Sequence, residues 1–251
     1  MFGKLPEYMP IWLYTCEKNP NITFFVLTDD TYHGKLPENV KIIHTELPDL
    51  KNRISEKVGF EVNLPWGYKL CDYRPAYGII FDDLLAGFDF WGHCDLDVIW
   101  GNTTHFFTDE KLSSYDRIYS LGALSVYRNT EEVNNWFRTL DNGPYSNYKY
   151  VFTVPEVHWF DEWGPEGSEG TSEIIRYNKK RFYYTSECFD INGMKGDFKH
   201  ALSGTDFNSY PNLYVKYENG NLTVCSGDTE LKEVLYTHFS KRNIKLPERI
   251  E

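Results

Sequence analysis

Residues 90–102 read FWGHCDLDVIWGN, an apolar strand pattern that carries two carboxylates, Asp95 and Asp97, one residue apart. Side chains at i and i+2 of an extended chain share a face, and two like charges so close together are unfavourable unless something positive stands between them. Where an apolar strand leaves a parallel sheet, its end opens on the crevice in which such sheets hold ligands. A divalent cation bridging the two acids to a diphosphate would resolve the repulsion there. The competing arrangement has one Asp capping the following turn and the other facing water. An Asp-x-Asp triplet is common enough by chance that spacing does not choose between the two.

The 251 residues, 41% hydrophobic and 17% aromatic, can bury a full core as one domain, and a charged fraction of 25% does not describe a disordered chain. The formal charge of −11 excludes a general grip on nucleic acid, whose phosphates an acidic surface repels. Any phosphate has to be held locally, by a metal or a few basic groups. No apolar run is long enough to span a bilayer, and the start lacks the basic flank and apolar stretch of a secretory signal. Cys16, Cys71, Cys94, Cys188 and Cys225 are odd in number, scattered and never spaced CxxC. They fit reduced, buried thiols in a cytoplasmic protein.

Strands and helices alternate in the first half. ITFFVLTDD and VKIIHT are short apolar runs that end in polar turn residues. YRPAYGIIFDDLLAGF predicts a helix, with Pro75 in its first turn and Tyr77, Ile80, Phe81 and Leu84 on one face. With the Asp-x-Asp strand these elements predict an α/β domain with a parallel core. Further on, RIYSLGALSVYRN predicts two short strands or one bulged at Gly122, and EEVNNWFRTL predicts a helix. Residues 141–187 are rich in Gly, Pro, Tyr and Trp, and HWFDEWGPEGSEG within them predicts a long ordered loop. NLYVKYENGNLTVCSG predicts a hairpin turning at Asn-Gly, and TELKEVLYTHFSKRN a closing helix with a basic end. No repeat, low-complexity segment or linker interrupts the chain.

The block PWGYKLCDYRPAYGIIFDDLLAGFDFWGHCDLDVIWGN, then LGALSVYRN and finally YTHFSKRN, resembles a family of bacterial GT-A-type glycosyltransferases of capsule- or lipopolysaccharide-type polysaccharide assembly. The resemblance covers nearly the whole chain. It implies a Rossmann-like GT-A fold with a mixed central sheet, one domain over 1–251, with residues 1–102 binding the nucleotide sugar and 103–251 the acceptor. It implies that Asp95 and Asp97 bind Mn²⁺ or Mg²⁺, which bridges to the diphosphate of a UDP-sugar. His238 is the matching third ligand, and the expected helix would turn it inward with Leu231, Val234 and Leu235; an inward His by itself is more often a core residue. Relatives open with an apolar strand ahead of the FGKLP segment, so either the start is trimmed or misassigned here or the first strand is missing.

The same resemblance makes Lys69 and Asp72 donor contacts, with Arg74 an alternative for the phosphate and Thr28, Asp29 and Asp30 near base or ribose. A Lys and a helix N-terminus suit a departing diphosphate, and an Asp suits sugar hydroxyls. A surface charge, an N-cap and a solvated turn explain these residues equally well. Asp161 and Glu162 of HWFDEWG are the candidates for the base that takes the acceptor proton, and Asp190 is the second choice. His158, Trp159 and Trp163 could stack on a sugar ring, or pack as an aromatic loop. The expected function is transfer of a sugar from a nucleotide sugar to a saccharide or lipid-linked saccharide, at the cytoplasmic side and without a transmembrane segment, peripheral membrane attachment remaining open. A non-catalytic sugar-binding or scaffold protein is the main alternative. A nucleotidyltransferase would need a triphosphate loop, and none is evident.

Overall fold

The computed structural model describes residues 1–138, 148–162, 170–185, 187–190 and 207–239. Among them the strands are β1 (Phe24–Thr28), β2 (Val40–His44), β3 (Phe90–Cys94), β4 (Val98–Trp100), β5 (Arg117–Leu121), β6 (Leu124–Arg128), β7 (Phe182–Tyr183), β8 (Cys188–Asp190), β9 (Leu213–Glu218), β10 (Asn221–Ser226), β11 (Thr229–Glu233) and β12 (Tyr236–His238). The chain is mixed α/β and divides into two compact units, one built from Met1–Gly3, His44–Cys94 and Glu110–Tyr184, the other from Lys4–Ile43, Asp95–Asp109 and Thr185–Glu251. The backbone passes from the first to the second at the Asp-x-Asp triplet.

In the first unit the sheet order is β3-β6-β5-β7. β3 and β5 both run antiparallel to β6, and β7 runs parallel to β5. The expected parallel core does not form, because β5 and β6 are joined by only Gly122 and Ala123, a connection that closes a hairpin and is far too short for a parallel crossover. On one face Trp91 stacks on its cross-strand partner Tyr127, centroids 4.5 Å apart, and packs with Val133, Trp136 and Ile175. The helix α1 (Met9–Glu17) belongs to the other unit; here α2 (Leu47–Val58) buries Leu50, Ile54 and Val58, one stripe at i, i+4, i+8. Gly59, at φ 88°, ends it in the left-handed conformation that a side chain would resist.

The long helix expected from Tyr73 is instead a 3-10 segment, Gly67–Ala76, running into a single α-turn, Tyr77–Ile80. Pro75 sits inside it, where it supplies no N–H and biases Arg74 away from the α region. The helix expected over EEVNNWFRTL is likewise short, Glu131–Asn134 followed by a 3-10 turn at Trp136–Arg138. Of residues 141–187, Tyr148–Thr153 and Thr171–Tyr177 are helical, and the HWFDEWG segment is described through Glu162.

In the second unit α1 (Met9–Glu17), with Pro10 in its first turn, buries Met9, Trp12, Leu13 and Cys16. Asn19 fastens it to the chain after β4: its amide donates to the Gly101 carbonyl at 2.9 Å and accepts from Thr103 N–H at 2.9 Å. β1 pairs with β2, and β9, β10 and β11 form an antiparallel sheet over Phe189, Phe207, Leu222, Val224 and Val234. Asn219 and Gly220 both have positive φ, 53° and 85°, the conformation that two-residue hairpins need, so the predicted Asn-Gly turn is present.

Among the described residues the closing helix does not form: Thr229–Glu233 and Tyr236–His238 are strands, and the expected basic end, 240–243, lies outside the described residues. β11 folds back on β10 in register Ser226↔Thr229, and β12 lies between β4 and β8. β-branched and aromatic residues of this stretch, Thr229, Val234, Tyr236 and Thr237, suit a pleated surface, and cross-strand pairing overrides the helical spacing of its leucines. Among the described residues no helix is long and apolar enough to cross a membrane. None of the five cysteines is in a disulfide, and four are buried.

Candidate metal centre and the residues around it

Asp95 and Asp97 stand in the short bend between β3 and β4, not inside one continuous strand. Their neighbour across the sheet is fixed by β12, the middle strand of three. On one side His238 pairs with Val98 of β4 in antiparallel register, and on the other with Asp190 of β8 in parallel register. The Phe239 N–H donates to the Asp97 carbonyl at 3.1 Å, closing the ladder at the acid itself. His238 is therefore flanked by carboxylates. Its Nε2 lies 3.5 Å from Asp97 Oδ1 and its Nδ1 lies 3.1 Å from Asp190 Oδ1. Asp95, Asp97 and His238 each bring one ligand atom to within 4.8 Å of the others.

Burial alone would push the His238 imidazole down, but the hydrogen bonds and charges of Asp190 and Asp97 outweigh it and lift its pKa to about 10. At neutral pH the ring holds a proton between two acids. Tyr8, edge-on to Phe239 at 4.9 Å, has its phenol pushed up to about 12 by burial and then by Asp97 and Asp95. It stays protonated beside them. Three carboxylates around one imidazolium leave the locality negative, and the donor set, two hard oxygens and an imidazole, suits Mg²⁺ or Mn²⁺. With Nδ1 held by Asp190, Nε2 turns toward the acids, the outer-shell arrangement that orients a histidine ligand. The residues fit a divalent cation.

Thr28, Asp29 and Asp30 lie in the same unit. Thr28 is buried at the end of β1, its hydroxyl accepting from Asp30 N–H at 3.1 Å. Asp30 accepts from the Leu5 and Thr31 N–H groups, each at 2.8 Å, which holds its carboxyl below the usual range. Asp29 is partly exposed.

Lys69, Asp72, Arg74, Asp161 and Glu162 lie in the other unit. Lys69 and Asp72 are wholly buried and pair at 2.7 Å. The Lys69 ammonium also donates to the Val151 and Glu156 carbonyls, so its three protons are all used inside the protein. Asp72 accepts from His158 N–H and Phe160 N–H. Neither side chain has surface to offer a donor sugar here. Arg74 donates to the Gly122 carbonyl at 2.9 Å and to Asp161 Oδ2 at 3.0 Å. Asp161 is buried, whereas Glu162 is partly exposed and accepts from Gly122 N–H. Trp163 lies outside the described residues.

Sequence reasoning grouped Asp95, Asp97 and His238, which lie within reach of one another in the structure, but set His238 on a helix where it stands on a strand. It missed Asp190 as the partner of His238 and Tyr8 as a neighbour of the acids, since nothing in the spacing of β8 and β12, 48 residues apart at the contact, signals their pairing.

The model of a family described as "Family of unknown function (DUF6625)" matches residues 1–251. No curated protein and no solved structure matches the chain.

Proposed function

The chain belongs to DUF6625, a family of unknown function, and we propose that it is a metal-dependent glycosyltransferase of GT-A, Rossmann-like type that moves a sugar from a nucleotide sugar, a UDP-sugar, to a saccharide or lipid-linked saccharide of polysaccharide assembly. One observation carries this reading: the Asp95–Asp97–His238 cluster, with its histidine oriented by Asp190. Asp95, Asp97 and His238 would hold Mn²⁺ or Mg²⁺. When bound, the cation supplies positive charge for the leaving diphosphate.

The chain's own residues do the rest. Asp190 keeps the imidazole turned toward the acids, and Tyr8, protonated, can donate to an oxygen at that site. The acceptor oxygen bonds to the anomeric carbon as the bond from that carbon to the diphosphate oxygen breaks, and the acceptor proton passes to a carboxylate. Lys69 and Asp72 act as supports and do not contact the donor.

Calorimetric titration of UDP-sugars with Mn²⁺ and with chelator tests the proposal. Donor should bind only with the cation, and Asp97→Asn should lose binding while its far-UV spectrum and melting are retained. Equal donor affinity in chelator, or undiminished binding by Asp97→Asn, refutes it.

A further inference from the structure

Trp66, Tyr68, Tyr150 and Trp159 are all among the exposed large side chains, each 42% to 51% exposed, and all lie in the first unit. Two of them are in direct contact, and Tyr150 packs on the chain neighbour of one of them. The Trp159 indole N–H donates to the Tyr68 hydroxyl at 3.1 Å, and the ring of His158, next in the chain, lies 5.7 Å from that of Tyr150. Trp66 immediately precedes the 3-10 segment that carries Tyr68.

Trp159 is held outward at a cost. Its φ of 49° is in the left-handed region, which a bulky side chain resists and which persists only where surrounding structure imposes it. The Asp72 carboxylate imposes it here, accepting from the N–H groups of His158 and Phe160 on either side of Trp159. Lys69 in turn fixes Asp72 and ties down the Val151 and Glu156 carbonyls at the root of the same loop. A buried ion pair thus presents an exposed tryptophan on a strained backbone.

We propose that Trp159, Tyr68 and the Tyr150–His158 pair form a platform that binds a neutral saccharide, with pyranose C–H faces on the rings and hydroxyls at their polar edges. It goes beyond the transfer reaction and does not require the metal centre to be correct. The chemistry of the patch argues for this occupant. Apart from Met1, the exposed large apolar side chains of the described residues are all aromatic, and the four here are Trp or Tyr, each with an N–H or O–H at its edge. Ring faces with N–H and O–H edges are amphipathic in the way a pyranose is. The charge of −11, with exposed Glu156 in the same loop, disfavours an acidic glycan.

Saturation-transfer NMR on the full chain, in chelator and without nucleotide, tests this with cellotetraose, maltotetraose and chitotetraose. At least one should receive transfer at its ring protons. Tyr68→Ala and Trp159→Ala should weaken that binding by about tenfold, the scale of losing one stacked ring. Trp159→Asn, which tolerates the left-handed backbone, separates loss of the ring from loss of the loop; it should bind as weakly as Trp159→Ala while melting at or above the unmodified temperature. No transfer to any of the three sugars, binding unchanged in all the variants, or self-association that the Trp159 variants abolish would overturn the proposal. Failure of metal-dependent donor binding leaves each of these outcomes readable, because the assay contains neither metal nor donor.

Discussion

Replacing Asp190 by Asn removes a charge from His238 while leaving an oxygen that can still accept from Nδ1, and its effect can be worked out from the geometry. The His238 pKa rises from an ordinary 6.5 to about 10, which favours the charged ring by about 5 kcal/mol. Asp190 is the nearer of the two acids, 3.1 Å against 3.5 Å for Asp97, so its charge should account for about half of this or more. Asp190→Asn should therefore bring the titration down to near 8, a fall of about two pH units. Because the folded value lies above the unfolded one, the folded protein binds more protons between about 6.5 and 10. The stabilisation is fully present below 6.5 and is lost as pH rises through 10. A cation must displace the same proton, so Mg²⁺ affinity of the unmodified protein should rise by about tenfold per pH unit from 7 to 9. In Asp190→Asn the rise should flatten above about 8, and affinity at high pH should be about 10- to 100-fold below that of the unmodified protein. Titration calorimetry of Mg²⁺ into metal-stripped protein at several pH values, with the imidazole carbons followed by NMR, measures both quantities. A pH-independent Mg²⁺ affinity, or a His238 ring that titrates at its ordinary value in the unmodified protein, would refute the reasoning.

Lys69→Met should destabilise the protein by about 3 to 5 kcal/mol, since it leaves the Asp72 carboxylate buried without its cation. Denaturant melts would show it, and a midpoint shift worth less than about 1 kcal/mol would mean that Asp72 is satisfied by backbone N–H groups alone.

Those parts of the fold that depend on short-range chemistry could be read from the sequence. β1, the β5–β6 pair around Gly122 and the Asn219-Gly220 hairpin each rest on alternation or turn residues a few positions apart. The closing stretch misled because Leu231, Val234, Leu235 and His238 have helical spacing, yet their positions were decided by strands supplied from elsewhere in the chain. The candidate site divides along the same line. Asp95 and Asp97 announce themselves by two charges in an apolar run, whereas Asp190 and Tyr8 acquire meaning only through tertiary pairing. Lys69 and Asp72 have the i, i+3 spacing of any helix-surface pair; that both are sealed, and bind backbone more than 80 residues ahead, could not be seen in the local pattern.

The position of β12 between β4 and β8 also sets an order of assembly. Both aspartates of the triplet are made well before Asp190, but none of the three has its histidine until β12, made after β4 and β8, is inserted between them. Such long-range closure is slow compared with hairpin formation. Cation binding at the proposed site would then be a property of the finished tertiary structure and could not serve as a nucleus for it, since a nascent chain that stops before Tyr236 carries the complete Asp-x-Asp triplet without His238.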